Sequence, residues 1–258
     1  MVAALPLERL RTGVAVTALE PLSGGSVDGP RYHLRLDGGG EEAADAVVLA
    51  TPAFAAGDLL RTVAPAASAG LGSIPYVSTA TVSLAFERGK VRQPLQGFGF
   101  VVPRAEERGI MAATFSSLKF DGRAPADGVL WRAFVGRAGR EEVLSLDDAG
   151  LVALVRRELR DILGLDTEPL FARVFRWPRG MPQYRVGHGT LIDRVERDVG
   201  AAPGVEIAGG YIHGIGIGDC LREGRAAAQR ALAHVADVVE PPPPAQPVDV
   251  PAGDGITD

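Results

Sequence analysis

Val205-Glu-Ile-Ala-Gly-Gly-Tyr-Ile-His-Gly-Ile-Gly-Ile-Gly-Asp-Cys220 reads as a strand, a glycine-rich turn and the start of a helix. Val205 to Ala208 is the buried strand, and a final helix is expected from about Asp219 to Val238. In Gly214-Ile-Gly-Ile-Gly218, backbone N–H groups and the positive end of the helix dipole point beyond the strand, where a negative or electron-rich group belongs. The same spacing also suits an ordinary strand-to-helix connection with Asp219 as its N-cap, and the residues alone leave both readings open. This is not the first turn of a dinucleotide fold, which lies inside a strand-helix-strand unit with an acidic residue ~20 positions on. Here the helix leads straight to Pro241-Pro-Pro-Pro244. Gly38-Gly-Gly40 and Gly97-Phe-Gly99 border β runs, and turn chemistry accounts for them.

Upstream, Val14 to Leu19 and Arg31 to Leu36 alternate, Asp37-Gly-Gly-Gly40 reverses the chain, and Ala46 to Ala50 is a buried strand. Three strands therefore precede Pro52, which suits a first helical position. Phe54, Leu59, Leu60 and Val63 then recur at helical spacing, and Pro65 is expected to stop that helix. Val77 to Phe86, Gly97 to Val102, Ile110 to Phe115 and Val129 to Val135 form a separate antiparallel sheet. Asp147 caps an amphipathic helix that runs to Leu163 and ends at Gly164, with Leu151, Leu154, Val155, Leu159 and Ile162 on one face. Arg156, Arg157 and Arg160 lie on the opposite face and read as solvated. Phe171 to Trp177 is a further strand and Leu191 to Val199 a short helix.

The 258 residues, 46% hydrophobic and 23% charged, can bury one large core or two ordinary ones. A formal charge of −5 with no basic stripe argues against a nucleic-acid partner. A lone Cys220, together with Glu8, Arg9 and Arg11 near the start, points to a cytoplasmic protein without a signal peptide. No uncharged run reaches the ~20 residues that cross a bilayer, which leaves room for peripheral membrane contact only. His33, His188, His213 and His234 have no metal-ligand spacing, so no metal is expected.

Ala44-Asp-Ala-Val-Val-Leu-Ala-Thr-Pro52, Gly97-Phe-Gly-Phe-Val-Val-Pro103, Thr114-Phe-Ser-Ser-Leu-Lys-Phe-Asp-Gly-Arg-Ala-Pro125, Arg176-Trp177, Met181-Pro-Gln-Tyr184, Gly187-His188 and the glycine-rich segment stand in a telling order. Together they make the chain resemble the protoporphyrinogen and coproporphyrinogen III oxidases of the flavin-dependent amine-oxidase-like superfamily. The Ala-Thr-Pro strand end is common among flavoproteins. Met-Pro-Gln-Tyr and Ser-Ser point to the porphyrinogen oxidases in particular.

The resemblance implies an α/β (α+β) fold that is the C-terminal half of an FAD-linked two-domain flavoprotein. Residues 1–75 and 181–239 would belong to the FAD-binding domain, 76–180 to an antiparallel-sheet substrate domain, and 240–258 to a disordered proline-rich tail. It further implies that Val16 meets the adenine, that Ala50, Thr51 and Pro52 lie near the cofactor, and that Trp177 lines the flavin. Gly209, Gly210, Ile215, Gly216 and Ile217 would form the turn beside its pyrimidine edge. Phe98 and Phe115 would line a slot for the porphyrinogen, with Phe115 the stronger candidate and Phe100 read as sheet core. Hydride would pass from a methine-bridge carbon to FAD and then to molecular oxygen, with no general base drawn from these residues.

One departure from the family pattern is large: the glycine-rich N-terminal nucleotide turn is not in the sequence. A shortened gene model, a natural fragment, or a half that pairs with a separate N-terminal half in trans would each explain it. The isolated chain is then expected to bind FAD weakly and to be inactive alone. The alternatives are a flavin amine oxidase or phytoene-desaturase-like oxidoreductase, and a non-catalytic fragment or binding subunit.

Overall fold

A computed structural model describes residues 9–22, 31–92 and 97–238. The proline-rich tail expected at 240–258 lies outside the described residues. The chain divides into two compact units, one built from Met1–Gly72 with Gly187–Asp258, the other from Ser73–Val186. β9 of the second unit runs through Pro182, so the change of unit falls beyond the expected position 180.

The first unit opens with β1 (Val16–Pro21), β2 (Tyr32–Leu36) and β3 (Glu41–Ala44), an antiparallel sheet in that order. β3 was not expected. Its Glu-Glu-Ala-Ala sequence has little strand preference, but the turn at Asp37–Gly39 lays it alongside β2. β4 (Val47–Leu49) leaves this sheet, and α1 (Ala53–Leu59) follows Pro52. Pro65 does not end a long helix as expected. It begins a second one, α2 (Pro65–Gly72), because a residue without an N–H costs nothing in a first helical turn.

The second unit is a five-stranded antiparallel sheet. β5 (Tyr76–Glu87), β6 (Gly99–Val101), β7 (Ile110–Phe115), β8 (Gly128–Val135) and β9 (Phe171–Pro182) lie in the order β6-β7-β8-β5-β9, with the single-turn helix α3 (Ser116–Lys119) after β7. Helix α4 (Asp148–Leu163) covers one face. Its Leu151, Leu154, Val155 and Leu159 pack with Ala80, Val82, Leu84, Phe86, Val129 and Trp131 from the sheet. Burying each of the leucines, valines and Phe86 contributes about 1.5–3 kcal/mol. Asp147 accepts a hydrogen bond from the Gly150 N–H at 2.7 Å, and Gly164 ends the helix at φ +68°. Arg156 pairs with Glu168 and Arg160 with Asp166, as suits a solvated face.

The chain then returns to the first unit through α5 (His188–Val199), β10 (Val205–Ile207) and α6 (Ile217–Val238). β10 pairs in parallel with β4, matching Val205 to Val47 and Ile207 to Leu49. α5 packs on α2, where a Cβ on Gly70 would sit 2.6 Å from Val195 Cγ2, so the missing side chain permits the close approach. The parallel pair in one unit and the antiparallel sheet in the other make the mixed α/β (α+β) fold. Among the described residues no helix is long and apolar enough to cross a membrane.

Candidate functional site

Because β4 and β10 run parallel, their carboxyl ends open on the same side, where open α/β sheets place their ligands. Ala50, Thr51 and Pro52 follow β4 and are all exposed. Ala208 donates its N–H to the Leu49 carbonyl at 3.0 Å, and a Cβ on Gly209 would lie 3.6 Å from the Thr51 carbonyl oxygen. The two strand ends are thus brought together. Gly209 has φ +155°, and a Cβ there would come within 2.8 Å of the Tyr211 ring, so only glycine fits without displacing that buried side chain.

Beyond Gly210, the Tyr211 carbonyl is 2.8 Å from Nε2 of His188, which ties the turn to the start of α5. α6 begins at Ile217, two residues earlier than expected, and Cys220 N–H donates to the Gly216 carbonyl at 2.9 Å. Asp219 is therefore a residue of the first helical turn and not the N-cap. Its carboxylate pairs with Arg222 and folds back over the turn, so that a Cβ on Gly214 or Gly216 would meet Asp219 Oδ2. Ile215, Gly216 and Ile217 are exposed at the mouth of the helix. His213 is exposed too, its Nδ1 3.1 Å from Glu223 Oε1.

Val16 lies on β1. With Val14, Leu19, Leu34, Val47 and Leu49 it lines an apolar cleft of about 710 Å³ that also takes in Ala50 and Thr51. That volume is within the ~300–1,000 Å³ of small-molecule sites. Val16 is therefore grouped with the β4 strand end, while Gly216 and Ile217 stand outside the cleft lining. The fit to a flavin nucleotide is partial. The described residues offer an apolar cleft, two adjacent strand ends and an exposed helix N-terminus, but no second glycine-rich turn inside a strand-helix-strand unit to hold a pyrophosphate.

In the second unit, Trp177 sits on β9 opposite Thr79 and is 54% exposed. Phe98, just before β6, is 61% exposed. Phe115 differs from expectation. It is only 5% exposed, tilted against Trp131 with ring centroids 4.5 Å apart and edge-on to Phe100 at 6.4 Å. Its ring belongs to the core under α4, which leaves no free face for a ligand.

The sheet face away from α4 carries what the sequence reading missed. There Phe134 and Phe175 flank Thr81, Arg132 and Arg173 flank Ser83, and Leu130 and Phe171 flank Ala85. Phe171 is 56% and Phe175 46% exposed. The signal was the strict alternation Phe171, Arg173, Phe175, Trp177, which puts four large side chains on one side of an edge strand. Among the described residues no group of His, Cys, Asp and Glu could hold a metal.

Residues 1–232 match the family described as flavin containing amine oxidoreductase. The coproporphyrinogen III oxidase of Bacillus subtilis is 35% identical over 232 residues, covering 90% of this chain and 48% of that protein. The mitochondrial protoporphyrinogen oxidase of Nicotiana tabacum is 29% identical over 168 residues, 64% of this chain and 33% of that protein. A solved structure from Exiguobacterium, named "Putative protoporphyrinogen oxidase", superposes with a TM-score of 0.72 at 32% identity, over 86% of this chain and 46% of that one. The chain spans about half the length, or less, of the curated relatives it matches. A flavin is the family's cofactor, and the glycine turn after β10 and the open sheet belong to a chain of the flavin containing amine oxidoreductases, related to the porphyrinogen oxidases.

Proposed function

We propose that this chain is the C-terminal share of an FAD-dependent porphyrinogen oxidase. The observation that carries the reading is the meeting of the β4 and β10 carboxyl ends, Thr51 beside Gly209, with α6 rising from the same turn. Val16, Ala50 and Thr51 would take the apolar parts of the cofactor in the cleft. The free N–H groups at Gly216 and Ile217 would face the electron-rich pyrimidine edge, where a helix N-terminus stabilises developing negative charge. Held there, an FAD would supply the two-electron oxidation of a porphyrinogen bridge, with molecular oxygen as the final acceptor. The protein's own part is to bind and orient the cofactor in the first unit and to offer a face for the macrocycle in the second. Trp177 and the exposed Phe171 and Phe175 offer aromatic faces for a macrocycle.

The cradle for the cofactor's pyrophosphate would come from an N-terminal half supplied in trans or in one longer polypeptide. The chain alone is then a weak FAD binder and inactive. To test this, the purified chain is titrated with FAD by flavin fluorescence, first alone and then with the N-terminal half of a relative. A reduced porphyrinogen is added and porphyrin fluorescence followed in air. Oxidation that needs both halves supports the reading. Protein that stays colourless and leaves the substrate reduced with both halves present sinks it.

A further inference from the structure

We propose that Arg132 and Arg173 read the carboxylates of the substrate and favour the more highly carboxylated porphyrinogen. The inference rests on the oxidase reading above and adds which substrate this chain selects. β5 lies between β8 and β9, and the register sets Ser83 opposite Arg132 on one side and Arg173 on the other. All three point away from α4. The arginines therefore stand two strand spacings apart, ~10 Å between their backbones. Arg132 Nε donates to Ser83 Oγ at 3.4 Å, which steadies its stem over the centre of the sheet. The Arg173 guanidinium lies 6.0 Å from the Phe175 ring centre.

Neither guanidinium has a carboxylate partner among the described residues, although both are exposed. Their neighbours behave otherwise: Arg108 pairs with Glu158, Arg156 with Glu168 and Arg176 with Asp148. The one acid on β5, β8 and β9 is Glu87, which ends β5 and is bound to Lys90. On the same face Phe134, Phe175, Leu130 and Phe171 border the charged row on both sides. Two unneutralised cations between apolar rows that carry three phenylalanines match one chemistry, a flat apolar ring carrying carboxylates at its rim. Coproporphyrinogen carries four propionates, whereas protoporphyrinogen has two and replaces the others with vinyl groups. A cationic row therefore attracts the tetracarboxylate more strongly than the dicarboxylate.

The test is a binding measurement on the chain itself, using the stable oxidised macrocycles coproporphyrin III and protoporphyrin IX as probes. Porphyrin fluorescence is titrated with the wild type, R132Q, R173Q and their Arg→Lys counterparts, each checked by thermal melting. The wild type should prefer coproporphyrin III. Each Arg→Gln change should weaken coproporphyrin III binding roughly tenfold, with a smaller loss for protoporphyrin IX, and Arg→Lys should recover most of it. Equal affinity of the wild type for both probes, or equal losses for both in the variants, overturns the assignment. Because no turnover is read, a failure of oxidation with both halves present would count against the oxidase reading and leave this assignment standing.

Discussion

Glu158, on the buried side of α4, accepts the Gly109 N–H at 2.8 Å through Oε1, while its Oε2 lies 3.3 Å from Arg108. A carboxylate that is 7% exposed is thereby held by one backbone donor and one cation, and it fastens the helix to the segment entering β7. Glu158→Ala should lower stability by about 2–3 kcal/mol, since it strands the Gly109 amide and a partly buried guanidinium. Chemical denaturation followed by tryptophan fluorescence checks this, and a loss within experimental scatter would show the pair to be incidental.

The approach of Gly209 to Tyr211 gives a second expectation. Gly209→Ala should cost about 1–3 kcal/mol, because the backbone angle and the ring contact both oppose a side chain. FAD affinity should fall with it if the turn serves the cofactor. Melting temperature and flavin titration on one preparation separate the two effects.

Tyr32 predicts a dependence on alkaline pH. Its hydroxyl donates to the Pro203 carbonyl at 2.7 Å, and burial raises its pKa above 10.0, with Arg31 pulling partly the other way. Above that value the unfolded chain releases the proton while the folded chain retains it, so the contribution to stability is full below pH ~10 and declines as pH rises through the folded pKa. Tyr32→Phe should remove this alkaline component and cost about 1 kcal/mol at neutral pH. Unfolding free energies between neutral pH and the alkaline limb check both signs.

Asp147 tests the helix that covers the second unit's sheet. Asp147→Ala leaves the Gly150 N–H without its acceptor and should destabilise by about 1 kcal/mol, while Asp147→Asn should retain most of the cap. The comparison by thermal melting isolates the cap from the charge.

The second unit was legible in the sequence because its strands are apolar runs bounded by turn residues, and because Asp147 and Gly164 mark both ends of α4. The first unit was less so. Proline is both a helix breaker and a favoured first residue, so Pro65 reads either way until Gly70 is seen packed on Val195. Phe115 came to the substrate slot through the resemblance, and its burial shows only once the register sets it opposite Trp131 across the strand pair. The strand end at Thr51 and the turn at Gly209 were each visible, but their adjacency required the parallel register of β4 and β10.

That register also orders events during synthesis. Val47 must wait for Val205, which leaves the ribosome only after the entire second unit has been made. Left as slack chain, the intervening residues would oppose pairing through the entropy of closing a long loop. The second unit is continuous in sequence, however, and brings its own ends together, with Gln183 N–H donating to the Pro75 carbonyl at 2.8 Å. Once it has folded, the span between β4 and β10 is shortened to the segment carrying α1 and α2 on one side and the segment carrying α5 on the other. The inserted sheet therefore acts as a clasp, and a lesion that delays its closure should slow assembly of the distant glycine turn without altering a residue of it.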